Sequence, residues 1–377
     1  MEVFSKNLLM GSSKKYKAYL LNGTEVIDVA TKGITEPINL NTTFGNCNES
    51  LSRYVIINGK LYKYVSNSLT QVGNLNTWIA VNGYCFDSFN IVPSNSTQIS
   101  YYNDYKIGHI WGIANGTLYN VETNTSTNVT NCLKISDTGS NSNVFYQTGD
   151  NTWKYGTGSN NDTVYNNTTI NSFYGIGYFD NSGSYSRLLA IKDGVVCQPN
   201  NYGTPAVSFE TSSQNKNFYQ IVGARSNGYN YYGDSYLSVG IAGYGQAERA
   251  LLLLYFEKRS NSYSVLPRDV THSYKKVTGT PSYFYALRDS GDLFGGSESN
   301  LTVNTPILTD VVEITGAAYY DQYGSNGYTY AFCIKTNGDL YRLSPQQGNT
   351  KILEKCVKVM GSTNSTGYFT ALAICEE

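Results

Sequence analysis

The chain stops halfway through a unit that it elsewhere completes. Its last stretch reads Cys356-Val357-Lys358-Val359-Met360-Gly361, a polar segment, then Tyr368-Phe369-Thr370-Ala371-Leu372-Ala373-Ile374-Cys375. An earlier copy continues through a turn into another strand, from Tyr330-Ala331-Phe332-Cys333-Ile334 through Asn337-Gly338 to Asp339-Leu340-Tyr341. The missing strand has a stand-in at the other terminus, Glu2-Val3-Phe4-Ser5. Leu8-Leu9-Met10-Gly11-Ser12 after it mirrors Val357-Lys358-Val359-Met360-Gly361-Ser362. A unit divided between the two ends predicts a ring whose first and last strands share one sheet, which removes exposed sheet edges. The expected fold is therefore all-β: one β-propeller over residues 1–377, with residues 1–7 completing a last blade formed by 355–377.

Within the chain, the unit is an apolar strand ending near glycine, a variable polar loop, an aromatic-aliphatic strand, a glycine turn and a third strand. Val311-Val312-Glu313-Ile314-Thr315-Gly316 opens the clearest copy, and Lys276-Val277-Thr278-Gly279 opens its predecessor. Thr305-Pro306-Ile307-Leu308 reads as the outer strand linking the two. Asn22-Gly23, Asn58-Gly59, Asn82-Gly83, Asn115-Gly116 and Asp193-Gly194 each follow an apolar run. Such dipeptides signal tight hairpins because both central residues take positive φ. Helical periodicity is absent, and irregular spacing predicts about seven blades, with six to nine open.

The copies at 276–294 and 311–341 resemble the regulator-of-chromosome-condensation repeat. Val311, Ile314, Gly316, Ala331, Gly338, Leu340 and Tyr341 match its pattern, as do Val277, Gly279, Ala286, Leu287, Gly291, Leu293 and Phe294. The resemblance is good over 270–377 and degenerate before it, and it implies a propeller closed by both termini. Most units lack the family's His before the Ala-Leu strand and the Trp-Gly after the next one. The chain thus resembles a divergent member, and neither nucleotide exchange on a small GTPase nor histone binding carries over.

Composition narrows function by exclusion. Charged residues make up 15% and net charge is −1, without a basic block, so a nucleic-acid footprint is not expected. No leader pattern opens the chain, and Ala250-Leu251-Leu252-Leu253-Leu254-Tyr255-Phe256 is too short to span a bilayer, so membrane insertion is not expected either. Seven cysteines without a CxxC pair read as reduced, buried thiols. His109 and His272 stand in no metal-ligand spacing. Asp289-Ser290-Gly291-Asp292 and Asn160-Asn161-Asp162 carry calcium-type oxygens without a calcium loop's spacing. No nucleophile elbow or phosphate loop is present. The expectation is no enzyme, no catalytic or metal site, and no cofactor.

Tyr (35) and Gly (36) are abundant, and most of the Tyr fits strand packing. Two stretches exceed that need. Tyr229, Tyr231, Tyr232 and Tyr236 crowd one loop, and Tyr319, Tyr320, Tyr323 and Tyr328 crowd the corresponding loop of a later unit. Mixed with Ser, Gly and Asn, they form a binding-loop composition, with large rigid contact area beside adaptable small residues. Both loops should emerge on one face. The expected role is a recognition or assembly module: a phage tail, baseplate or fibre-associated virion protein, made in a bacterial cytoplasm. Its partners would be other virion proteins or a host cell-surface glycan or protein. The alternatives are a cytoplasmic scaffold for protein partners and a carbohydrate-active enzyme on a propeller.

Overall fold

The structure is a computed structural model that describes residues 14–21, 25–43, 54–65, 67–83, 110–121, 123–135, 144–150, 152–159, 161–165, 170–180, 183–192, 195–198, 207–208, 216–226, 235–257, 262–280, 283–297, 303–318, 329–361 and 371–377. Helix among these is limited to one 3-10 turn, Val29–Lys32. Asp28 caps it by accepting from the Ala30 N–H, and Gly33 (φ 92°) ends it. Everything else regular is antiparallel strand, in eight sheets. Eight exceeds the default of seven and falls inside the expected range.

We number the sheets as blades in chain order. Blade 1 holds Tyr54–Ile57, Lys60–Val65 and Ser68–Gln71. Blade 2 holds Trp78–Gly83, Ile110–Ala114, Thr117–Asn120 and Thr125–Ser126. Blade 3 runs from Cys132–Ile135 to Thr163–Tyr165, and blade 4 from Ile170–Asp180 to Val207–Ser208. Blade 5 comprises Lys216–Ser226, Ser235–Tyr244, Ala247–Glu257 and Ser262–Asp269. Blade 6 comprises Tyr274–Thr280, Tyr283–Arg288 and Leu293–Gly296. Its expected outer strand is reduced to a bridge between Leu293 and Leu308. Blade 7 comprises Val311–Ala318, Thr329–Lys335, Leu340–Leu343 and Thr350–Leu353.

Blade 8 is the divided one. Cys356–Gly361 and Ala371–Glu376 come from one end of the chain, Tyr16–Leu21 and Val26–Asp28 from the other. Tyr16 pairs with Glu376 and Leu21 with Ala371, in unbroken register. The termini therefore share a sheet as expected, but the strand beside Ala371–Glu376 is Tyr16–Leu21. Cys356–Gly361 takes its other edge, so the place assigned to Glu2–Ser5 is filled; residues 1–7 lie outside the described residues. Lys14 Nζ reaches Glu376 Oε1 at 2.6 Å beyond the last pair.

A repeated joint sets one blade on the next. The N–H that starts an inner strand donates to the turn glycine of the preceding blade: Trp78 to Gly59, Cys132 to Gly116, Val311 to Gly291 and Cys356 to Gly338, at 2.6–2.9 Å. Asn131, Asp310 and Lys355, just before three of these strands, take positive φ so that the chain can turn into the bond. Gly59 is fixed by the close approach as well as by φ 74°, since a Cβ there would lie 2.3 Å from the Asn76 carbonyl oxygen. Inner strands consequently stand side by side from blade 4 through blade 8 and from blade 2 to blade 3. Ala18, Leu20, Leu372 and Ile374 of blade 8 pack with Val55, Ile57, Tyr62 and Tyr64 of blade 1. This is β-propeller order.

The Asn-Gly signals divide by outcome. At Asn58-Gly59 and Asn115-Gly116 both residues take positive φ, as two-residue hairpins demand. At 290–291 and 337–338 only the glycine does. Asn82-Gly83 is no turn: both residues lie in the inner strand of blade 2, where Gly83 pairs with Ile110. Asn22-Gly23 and Asp193-Gly194 lie outside the described residues.

Cysteine usage also departs from expectation. Cys132 and Cys333 are buried free thiols, pushed up to about 12 by burial. Cys356 and Cys375, however, face each other across the first two strands of blade 8 and form a disulfide. Its 19-residue span corresponds to about 3 kcal/mol of denatured-state entropy. Replacing both cysteines by serine should cost that much in urea titration, and added reductant should leave the variant unaffected. A variant as stable as the parent would show that the bond constrains nothing.

Candidate binding surfaces

Strand order fixes which segments share a face. The inner strands of blades 2, 3, 7 and 8 start beside the preceding blade's turn glycine, and those of blades 5, 6 and 7 stand side by side, so their first-to-second-strand loops leave from the opposite face. Residues 227–234 join the first two strands of blade 5, and residues 319–328 join the first two of blade 7. The two Tyr-rich loops are therefore anchored on one face, two blades apart. Tyr229, Tyr231, Tyr232, Tyr319, Tyr320, Tyr323 and Tyr328 lie outside the described residues. Tyr236, expected in the loop, is in the second strand of blade 5, opposite Ser226 and Phe256.

Six tyrosines elsewhere serve packing. Tyr54, Tyr62, Tyr64, Tyr146, Tyr274 and Tyr285 are buried. The hydroxyl of Tyr146 donates to Asp162 Oδ2 at 2.8 Å, and that carboxylate also accepts from the N–H groups of Thr157 and Gly158 and from Ser159 Oγ. The acid of the Asn160-Asn161-Asp162 run is thus consumed by its own turn. In Asp289-Ser290-Gly291-Asp292, Ser290 Oγ donates to Asp292 Oδ2, and Asp289 pairs with Arg249 at 2.7 Å. Among the described residues no group of three or more His, Cys, Asp or Glu could hold a metal ion.

A polar cluster that the sequence reading missed joins blades 5 and 6. Asp269, at the end of blade 5, is buried and accepts from Thr271 N–H and Oγ1, from Tyr274 Oη and from Arg288 Nη2. His272 Nδ1 stands 3.0 Å from Asp269 Oδ2, with its ring half exposed. Burial alone would raise the Asp269 carboxyl. The bonds from Thr271, Tyr274 and Arg288 overcome it and hold the group well below the usual carboxylate range. Burial, then Asp269, pushes the Tyr274 hydroxyl up. Arg288 also donates to the Val303 carbonyl and lies 4.1 Å over the centre of the Phe294 ring. With its oxygens so occupied, Asp269 serves as a clamp. His109 lies outside the described residues.

The chain is defined by this order as an all-β propeller. No protein-family model matches it, and no curated protein does. Among solved structures it resembles other β-propeller proteins at low identity. BBS1N in complex with ARL6DN is 8% identical, with a TM-score of 0.45 over 89% of this chain and 93% of that one. YCF48 bound to D1 peptide is 9% identical, with a TM-score of 0.41 over 80% and 91%. Human WBSCR16 is 9% identical, with a TM-score of 0.42 over 97% and 100%. None of them assigns a family at these values; the fold rests on strand pairing. No helix among the described residues is long and apolar enough to cross a membrane.

Proposed function

We propose that the chain is a non-enzymatic recognition or assembly module, a β-propeller that presents its Tyr-rich loops to a protein or glycan partner. The observation that supports this reading is that the strand ends joined by residues 227–234 and by residues 319–328 occupy the same position in blades 5 and 7. Two loops of binding composition on a rigid scaffold give one contact surface, with little rotamer entropy lost per tyrosine. The narrower reading is a divergent regulator-of-chromosome-condensation-type propeller in a phage virion, contacting host surface or a neighbouring virion protein. The Cys356–Cys375 bond fits a protein that ends outside a reducing cytosol. The repeat matches at 276–294 and 311–341 support the repeat type.

Whole-cell and glycan-array binding, compared between the parent and a variant with Tyr→Ala at 229, 231, 232, 319, 320, 323 and 328, tests the surface. Loss of binding at unchanged thermal stability is expected, and equal binding would contradict it. Detection of the polypeptide in purified virus particles is expected from the virion reading, and its absence would leave the cytoplasmic scaffold. Turnover of a polysaccharide would overturn the non-enzymatic reading.

A further inference from the structure

An Asn followed by Gly is prone to deamidation, because no side chain on the glycine keeps its backbone nitrogen from the neighbouring carboxamide. That nitrogen attacks the Asn Cγ, a five-membered succinimide closes, and the Cγ–Nδ2 bond breaks. Nδ2 leaves as ammonia with the proton given up by the glycine N–H. Water then opens the ring, chiefly at the main-chain carbonyl, and isoaspartate results. The backbone gains one methylene and the side chain becomes a carboxylate, a covalent change that alters both turn geometry and charge. Two groups must be free to meet: the Asn carboxamide and the Gly N–H.

Asn58-Gly59, Asn115-Gly116 and Asn337-Gly338 form turns among the described residues, and they differ in those two groups. Asn58 is locked: its Oδ1 accepts from the Asn39 N–H at 2.6 Å, and its Nδ2 donates to the Pro37 carbonyl at 2.8 Å. The Gly59 N–H is engaged too, donating to the Thr42 carbonyl at 2.7 Å. The Asn337 carboxamide accepts from the Asp339 N–H and donates to Asp339 Oδ2, each at 3.0 Å. The Gly338 N–H donates to the Lys335 carbonyl at 2.9 Å. Asn115 has neither restraint. Among the described residues, no hydrogen bond holds its carboxamide or the Gly116 N–H. Asn115 and Asn337 are both exposed, so bonding rather than exposure separates them. Packing agrees. A Cβ on Gly59 would lie 2.3 Å from the Asn76 carbonyl oxygen, and one on Gly338 would lie 3.1 Å from Lys355 Cα. One on Gly116 would stop 3.6 Å from its nearest neighbour, the Asn131 backbone nitrogen. The 115–116 turn therefore has room to swing the nitrogen toward Cγ, and the other two are pinned.

We propose that Asn115 is a site of spontaneous conversion to isoaspartate, and that this conversion loosens the joint between blades 2 and 3. The Gly116 carbonyl accepts the Cys132 N–H at 2.6 Å, the bond that seats blade 3 on blade 2. An extra methylene at 115 displaces that carbonyl, and the residue that loses its acceptor carries a buried free thiol. The test ages the parent protein in mildly alkaline buffer and maps its peptides by mass spectrometry, with isoaspartyl methyltransferase labelling to tell isoaspartate from aspartate. Asn115 should convert at least about tenfold faster than Asn58 or Asn337, since bonds that must break first hold each of the others. In denaturant, where only local sequence remains, the three rates should converge. Alkylation of the Cys132 thiol should rise in the converted fraction. It should stay at the level of fresh protein in aged Asn115→Gly, whose Gly-Gly turn keeps positive φ and cannot deamidate. An intact Asn115, or equal rates at the three turns of the folded protein, would overturn the site. A Cys132 thiol as protected after conversion as before would overturn the loosened joint.

Discussion

Arg288→Ala should destabilise the protein by about 3–5 kcal/mol, because it leaves the buried Asp269 carboxylate without its charge partner. Equilibrium denaturation at neutral pH measures the loss. Acid titration separates charge from packing. The Asp269 carboxyl is held below its ordinary value in the folded protein, so its contribution is present above about pH 4, near the unfolded pKa. It is lost as pH falls from there toward the folded pKa. The gap between parent and Arg288→Ala should accordingly shrink on acidification below about pH 4. A gap that stays constant with pH would mean that Arg288 acts through its stacking on Phe294 instead.

Leu20→Asp should remove more than about 4 kcal/mol, combining a lost core side chain with an unpaired buried charge. Leu20 is fully buried, pairs with Leu372 and packs across to Val55 and Ile57 of blade 1. The control is Val26→Asp in the adjacent outer strand, where the side chain is 39% exposed and the change should cost under about 1 kcal/mol. Thermal melting of the two variants tests the difference. If Leu20→Asp melts with Val26→Asp, the first strand is not built into the sheet that divides between the termini.

What could be read in advance was local. Repeated glycine turns, the strands at 283–288 and 329–335, and the idea of a divided blade all follow from patterns within a few tens of residues. Features that depend on register did not follow. Tyr19-Leu20-Leu21 reads plainly as a strand, yet nothing local says that it, rather than Glu2–Ser5, lies beside Ala371–Glu376. Asn82-Gly83 has the same letters as Asn58-Gly59, but a strand partner at Ile110 keeps it extended. The facing of Cys356 and Cys375 and the meeting of Asp269 with Arg288 become visible only after strands are paired.

Zero-length carbodiimide cross-linking with mass spectrometry tests the divided blade most directly, on the unaltered protein. Lys14 and Glu376 are 362 positions apart in sequence, yet 2.6 Å separates their charged atoms. An isopeptide between them is predicted, alongside the local Lys351–Asp339 product, whose atoms are 2.8 Å apart, as the internal control. Recovery of the control product with no link between Lys14 and the 371–377 segment would contradict the shared sheet.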